Sequence, residues 1–161
     1  MSASIESVSL LGTVCRYLDQ DDWNYRLAEG RPGIWTGVTG QNASFRIFIV
    51  ADDQKSVVLI YSHVDARVPE DRRVAVAEFL TRANWGHVLG NFEMDFADGE
   101  VRYRTAIDIE GGALAERMFR NLLAANVQTA DRYYPGFMRV MYGEMTPAEA
   151  IDRIERPQGT H

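Results

Sequence analysis

Acidic and basic side chains alternate with other residues along Asn84 to Ile109, where Glu93, Asp95, Glu100, Arg102, Arg104 and Asp108 fall at near-regular spacing. Paired carboxylates can share acid and base roles, so this run is the first place to look for catalysis. The residues between the charges argue for a different use. Phe92, Met94 and Phe96 alternate with Glu93 and Asp95, and Val101, Tyr103, Thr105, Ile107 and Ile109 alternate with Arg102, Arg104 and Asp108. Period two is the signature of a half-buried strand, and Asp98-Gly99 supplies residues that tolerate the positive φ of a tight hairpin turn. A two-residue loop predicts Ala97 opposite Glu100, Phe96 opposite Val101, Asp95 opposite Arg102, Met94 opposite Tyr103 and Glu93 opposite Arg104. That register puts two opposite-charge pairs on the outer face, so the carboxylates are read as paired strand residues rather than acid and base.

Other groups with chemical potential are scattered. Ser62, His63 and Asp65 are triad residue types, but catalytic groups converge in space rather than along one strand. His63, His87 and His161 lack the spacing of a zinc motif. Asp19, Asp21 and Asp22 lack the glycine and periodicity of a calcium loop and read as a solvated helix end. Gly37 to Gly40 is not followed by the Lys-Ser/Thr of a phosphate loop. Cys15 has no activating base nearby in sequence and reads as a small buried hydrophobe. Asn42-Ala43-Ser44 fits a glycosylation acceptor only in a secreted chain. We therefore expect no catalytic residues, no cofactor and no metal. Trp85, Phe137, Met138, Met141 and Tyr142 bring aromatic and thioether groups near helix ends, and these are the candidate protein-interaction residues.

The elements that must position these residues follow from hydrophobic period. Ile5, Val8, Leu11, Cys15 and Leu18 mark a first helix with a serine near its start. Strands are predicted at Trp23–Leu27, Ile34–Thr39, Phe45–Asp52 and Ser56–Ser62, separated by Gly-, Asn- and Asp-rich turns. Phe48 and Val50 lie on the face opposite Phe45, Ile47 and Ile49, so the second face is expected to be partly covered, for instance by a partner subunit. His63 to Val68 is read as a link. Pro69, Glu70 and Asp71 open a second helix with Val76, Phe79, Leu80 and Ala83 inward, closing at Asn84-Trp85-Gly86. After the hairpin, a long helix runs from about Ala115 to Tyr133. Pro135-Gly136 is expected to stop or kink it, leaving a short piece with Phe137, Val140 and Met141 that ends at Gly143. Thr146-Pro147-Ala148-Glu149 is a capping box for a last helix bearing Ile151 and Ile154.

Length and composition agree with one globular domain, taken as residues 1–155 with a tail at 156–161. The chain has 161 residues, a net charge of −6 and a single cysteine. An acidic surface repels phosphate and argues against nucleic acid. One cysteine forms no internal disulfide, no apolar run approaches the ~20 residues of a membrane span, and the N-terminus lacks a basic region. The expected location is the cytoplasm. Helices against an antiparallel sheet make the fold class α+β.

Several of these residues resemble the bacterial YbjN family. The likeness is strongest in Asn84-Trp85-Gly86, Gly90-Asn91-Phe92-Glu93-Met94-Asp95 and Asp98-Gly99-Glu100-Val101-Arg102-Tyr103. Tyr61-Ser62, Val68-Pro69-Glu70, Tyr133-Tyr134-Pro135 and Pro147-Ala148-Glu149-Ala150 support it. One departure is that His63 to Arg67 lacks the proline expected there. The resemblance implies an α/β sandwich like that of type III secretion chaperones, a homodimer and a role in sensory-transduction regulation, and it brings no catalytic residues. Together these readings make the protein a non-enzymatic chaperone-like adaptor that binds another protein. The alternative is a small-molecule sensor or enzyme with a pocket between helices and sheet.

Overall fold

The structure is a computed structural model and describes residues 8–157. Helix α1 spans Leu10–Gln20 and is capped by Ser9, whose side chain accepts a 3.0 Å hydrogen bond from the Gly12 N–H. The cap sets the start later than the periodicity suggests. Val8 stands outside the helix and is exposed, while Ile5 lies outside the described residues. Strands β1 (Tyr25–Leu27), β2 (Gly33–Thr39), β3 (Ser44–Asp52), β4 (Val57–Arg67), β5 (Asn91–Met94) and β6 (Glu100–Asp108) form one antiparallel sheet. Their spatial order is β1-β2-β3-β4-β6-β5. A 3-10 turn at Glu70–Arg72 leads into α2 (Arg73–Asn84); α3 is Glu116–Met141 and α4 is Pro147–Glu155.

One sheet face is covered by the helices. Helix α1 lies over β3, α3 crosses β4 and β6, and α2 and α4 pack on α3. Ile34, Ile47, Ile60, Val101 and Tyr103 point into this layer and are fully buried against residues such as Val14, Phe79 and Phe119. Alternate residues, Trp35, Arg46, Phe48, Tyr61, Arg102 and Arg104, therefore fall on the opposite face, which no helix among the described residues covers. The predicted inward stripe of α2, Val76, Phe79, Leu80 and Ala83, is buried as a unit. Both hydrogen bonds of the Thr146/Glu149 capping box are present.

Three expectations need correction. First, the hairpin register is displaced by two residues: Met94 pairs with Val101, Glu93 with Arg102 and Phe92 with Tyr103. The Asp95 side chain accepts from the Ala97 N–H, and its carbonyl accepts from Gly99, widening the loop to Phe96–Gly99. Tertiary structure holds this wider turn, because the Val68 N–H donates to the Gly99 carbonyl at 2.9 Å. A Cβ on Gly99 would lie 2.2 Å from the Val68 carbonyl. A shift of two preserves the faces but leaves Phe96 exposed. Second, His63–Arg67 is not a link. It continues β4 through an irregularity to the pair Arg67–Glu100. Third, Pro135 does not stop α3, which runs unbroken to Met141. Proline lacks the N–H that would bond the carbonyl four residues earlier, that of Asp131. The Asn42 side chain donates to that carbonyl instead, at 3.1 Å.

Candidate functional site

The charged residues of the hairpin are built into a brace. Arg102 Nε donates to Glu93 Oε2 at 2.8 Å, and Arg104 Nη1 donates to Oε1 at 3.2 Å. Burial alone would raise the Glu93 carboxyl, but the hydrogen bonds and charges of the two arginines outweigh it and hold Glu93 below its ordinary value. A carboxylate held this way is a fixed anion rather than a proton donor. Asp95 caps the loop, Asp98 pairs with Arg67, and Glu100 bonds His63 Nδ1 at 2.7 Å. Charge pairing thus holds for Glu93, Glu100, Arg102 and Arg104, whereas Asp95 and Asp108 accept backbone hydrogen bonds in turns and Asp95 is not a partner of Arg102.

On the uncovered face, Trp35, Phe48, Tyr61 and Arg104 stand side by side across four strands, and Arg46, His63, Arg102 and Glu93 form the next row. Trp35 and Phe48 pack with centroids 4.5 Å apart. Arg31 lies 4.0 Å over the Phe48 ring and Arg102 4.1 Å over Tyr61, within cation–π range. Phe48 is buried within the chain, beneath Arg31 and beside Trp35, while Val50 on the same face is half-buried. His63 is buried within the second row, between Arg46 and Arg102. Its desolvation lowers the imidazole pKa, helped by Arg46 and Arg102 and opposed by Glu100. Ser62 points to the other side of the sheet, so Ser62, His63 and Asp65 do not converge. Among the described residues no group of His, Cys, Asp and Glu is placed to hold a metal ion.

The five interaction candidates separate. Phe137 and Met141 are core residues, and Met138 is half-buried. Trp85 is 89 % exposed and Tyr142 is 67 % exposed. These two stand at opposite ends of α2, whose 12 residues span about 18 Å. Tyr142 ends α3 beside Gly143, which lies against Arg72 at the start of α2, while Trp85 follows the end of α2. Trp85 instead shares its loop with Val88, 94 % exposed, and the exposed Leu89. That loop has a rigid frame. Asn84 accepts from the Phe92 N–H at 2.7 Å and donates to the Phe92 carbonyl. Tyr103 donates to the Leu89 carbonyl at 2.6 Å, and His87 packs between Tyr103 and Tyr133. Burial lowers the His87 pKa, while Tyr133 is pushed up to about 12 by burial and its bond to Glu155. Of these exposed residues the sequence singles out Trp85 but not Val88, because two apolar residues near a glycine look like ordinary core.

The space between helices and sheet is filled by Tyr103, Phe79 and Phe119. A hollow of about 840 Å³ lies at the surface, lined by the β2–β3 turn, α3 and the end of α4.

This arrangement belongs to a known class. The chain is a member of the YbjN family, matched over residues 11–139 and described as "Putative bacterial sensory transduction regulator". Two solved structures share the fold. The crystal structure of YbjN from E. coli, titled "a putative transcription regulator", has 12 % sequence identity and a TM-score of 0.58, covering 85 % of this chain and 93 % of its own. An uncharacterized protein from Methanothermobacter thermautotrophicus has 12 % identity and a TM-score of 0.54, covering 82 % and 96 %. No curated protein matches this chain in sequence. No described helix is long and apolar enough to cross a membrane.

Proposed function

We propose that this chain is a non-enzymatic, chaperone-like regulatory adaptor that acts in the cytoplasm, as a homodimer, by binding another protein. Family membership supports the regulatory role. The observation that carries the binding role is the loop from Trp85 to Leu89. It offers two large apolar side chains almost fully to solvent on a backbone clamped by Asn84 and Tyr103. Rigid aromatic anchors of this kind dominate interface energies, because little side-chain entropy is lost when they enter a partner's pocket. The single half-buried cysteine suits a reducing interior.

The test is capture of the tagged chain and of a Trp85→Ala/Val88→Asp variant in host extract, with quantitative mass spectrometry. One saturable partner, lost with the variant, is the expected result. Absence of any enriched protein sinks the reading. Light scattering should give twice the 18.2 kDa chain mass. A strict monomer at high micromolar concentration removes the dimer from the proposal.

A further inference from the structure

A second surface differs in chemistry from the Trp85 loop. Arg67, Arg102 and Arg104 each pair with a carboxylate on Glu93, Asp98 or Glu100. Arg26, Arg31 and Arg46 are exposed and, among the described residues, form no ion pair, though the chain carries more acidic than basic residues. All three gather at Trp35. Arg26 is its cross-strand partner on β1, Arg46 lies 5.3 Å from its ring and Arg31 lies 5.7 Å from it.

Beside Trp35 on the same strand face is Gly37, directly opposite Arg46. The missing side chain helps leave an open notch of about 390 Å³, with Tyr25, Arg26, Trp35 and Arg46 among its walls. Nothing in the backbone requires glycine there. Its φ is not positive, and a Cβ would meet only the Phe45 carbonyl, at 3.4 Å, an ordinary contact. Glycine inside a strand weakens it, so a position that tolerates a side chain and lacks one marks a place where another group approaches closely.

The notch has the size and charge of a receptor for a short anion-bearing segment. Arg26 and Arg46 sit on strands two spacings apart, about 10 Å. A carboxylate between them would meet guanidinium groups on both sides, the geometry arginine serves well. The cationic zone thins beyond β3, because Glu93 is shared by Arg102 and Arg104, and Arg67 meets Asp98 and Glu100. Nucleic acid needs a basic track that continues along its backbone, and this patch of three arginines is too short to provide one.

We infer that the Gly37 notch docks an acidic segment of a protein partner, holding a carboxylate side chain between Arg26 and Arg46 with a neighbouring apolar residue against Trp35. This rests on the protein-binding reading above and adds to it the site and the chemistry of the segment.

The experiment is fluorescence anisotropy of the full chain with a fluorescein-labelled (Glu-Leu-Gly-Glu)3 peptide, its Lys-for-Glu counterpart and a labelled 12-residue oligothymidylate. The acidic peptide should bind saturably, at least tenfold more tightly than either control, and weaken with added salt. Arg26→Gln/Arg46→Gln should lower its affinity at least tenfold. Gly37→Val should do the same by filling the notch while leaving the melting temperature unchanged or raised, since a β-branched residue suits a strand. Equal binding of both peptides, tighter binding of the oligothymidylate, or wild-type affinity in both variants overturns the assignment. The same variants go into the host-extract capture. A partner retained equally by wild type and variants removes this site but leaves the protein-binding reading standing; no partner for any form removes both.

Discussion

Replacing Asp131 tests how α3 holds the strands that carry the arginine notch. Asp131 is 8 % exposed, and its carboxylate accepts from the backbone N–H groups of Gln41, Asn42 and Ala43 at 3.0, 2.9 and 3.1 Å. The β2–β3 turn is thereby tied to the helix, and with it Trp35, Gly37 and Arg46. Hydrogen bonds to a charged acceptor contribute roughly 1.5–3 kcal/mol each, but donors in a surface turn regain water when the acceptor is removed. The net loss expected for Asp131→Ala is about 2–3 kcal/mol, which in a domain of this size lowers the melting temperature by roughly 4–12 °C. Gly40 supplies the internal control. A Cβ there would lie 2.3 Å from Asp131 Oδ1, so Gly40→Ala displaces the carboxylate and costs about 1–3 kcal/mol. If the two residues form one device, Gly40→Ala should cost at least ~1 kcal/mol less when Asp131 is already alanine. Urea unfolding of the wild type, both single variants and the double variant gives that coupling. A loss below ~1 kcal/mol for Asp131→Ala, or equal costs of Gly40→Ala in both backgrounds, refutes the clamp.

Two further outcomes concern the histidines and the helix layer. Burial lowers the folded pKa of both His63 and His87, so as pH falls below the unfolded value of about 6.5 the unfolded chain takes up protons that the native chain refuses. The melting temperature should therefore drop between pH 7.5 and 5.5, and less so in His63→Gln/His87→Gln; an identical slope in that variant contradicts the assignment. Glu93 acts in a separate window, contributing stability that is lost below its unfolded value of about 4.3. In the helix layer, a Cβ on Gly136 would lie 2.4 Å from Ile154 Cδ1 and 3.1 Å from the Phe79 ring. Gly136→Val should cost roughly 2–3 kcal/mol through overpacking, part of it recovered in an Ile154→Ala background, as read by thermal melts.

Much of the architecture was legible along the chain, because local physics sets it. Period-two alternation marks β3 and β6, the 3.6-residue spacing of Val76, Phe79, Leu80 and Ala83 marks α2, and Thr146 with Glu149 marks the start of α4. Each signal depends on residues within a few positions of one another, and each is found where it was read. The order helix, strands, helix, hairpin, helices was enough for the α+β class. The candidate surface was less legible: Trp85 is exposed, but Phe137 and Met141 are core, and such residues look no different in sequence whether they are buried or exposed.

What only the tertiary structure decided were the points where distant groups intervene. Asp98-Gly99 is a valid two-residue turn by local rules, yet the loop closes between Asp95 and Glu100, and Val68 from another element donates to the Gly99 carbonyl of that wider turn. Pro135 should end a helix in isolation, and Asn42, far away in the chain, satisfies the carbonyl that proline leaves free. Arg26, Trp35, Gly37 and Arg46 carry no common motif, because three strands bring them together. Sequence therefore determined the elements and their faces, where free energy is local and periodic. The fold decided the unbroken helix and the notch and helped to set the turn, where contacts between remote residues together outweigh a local preference of a few kcal/mol.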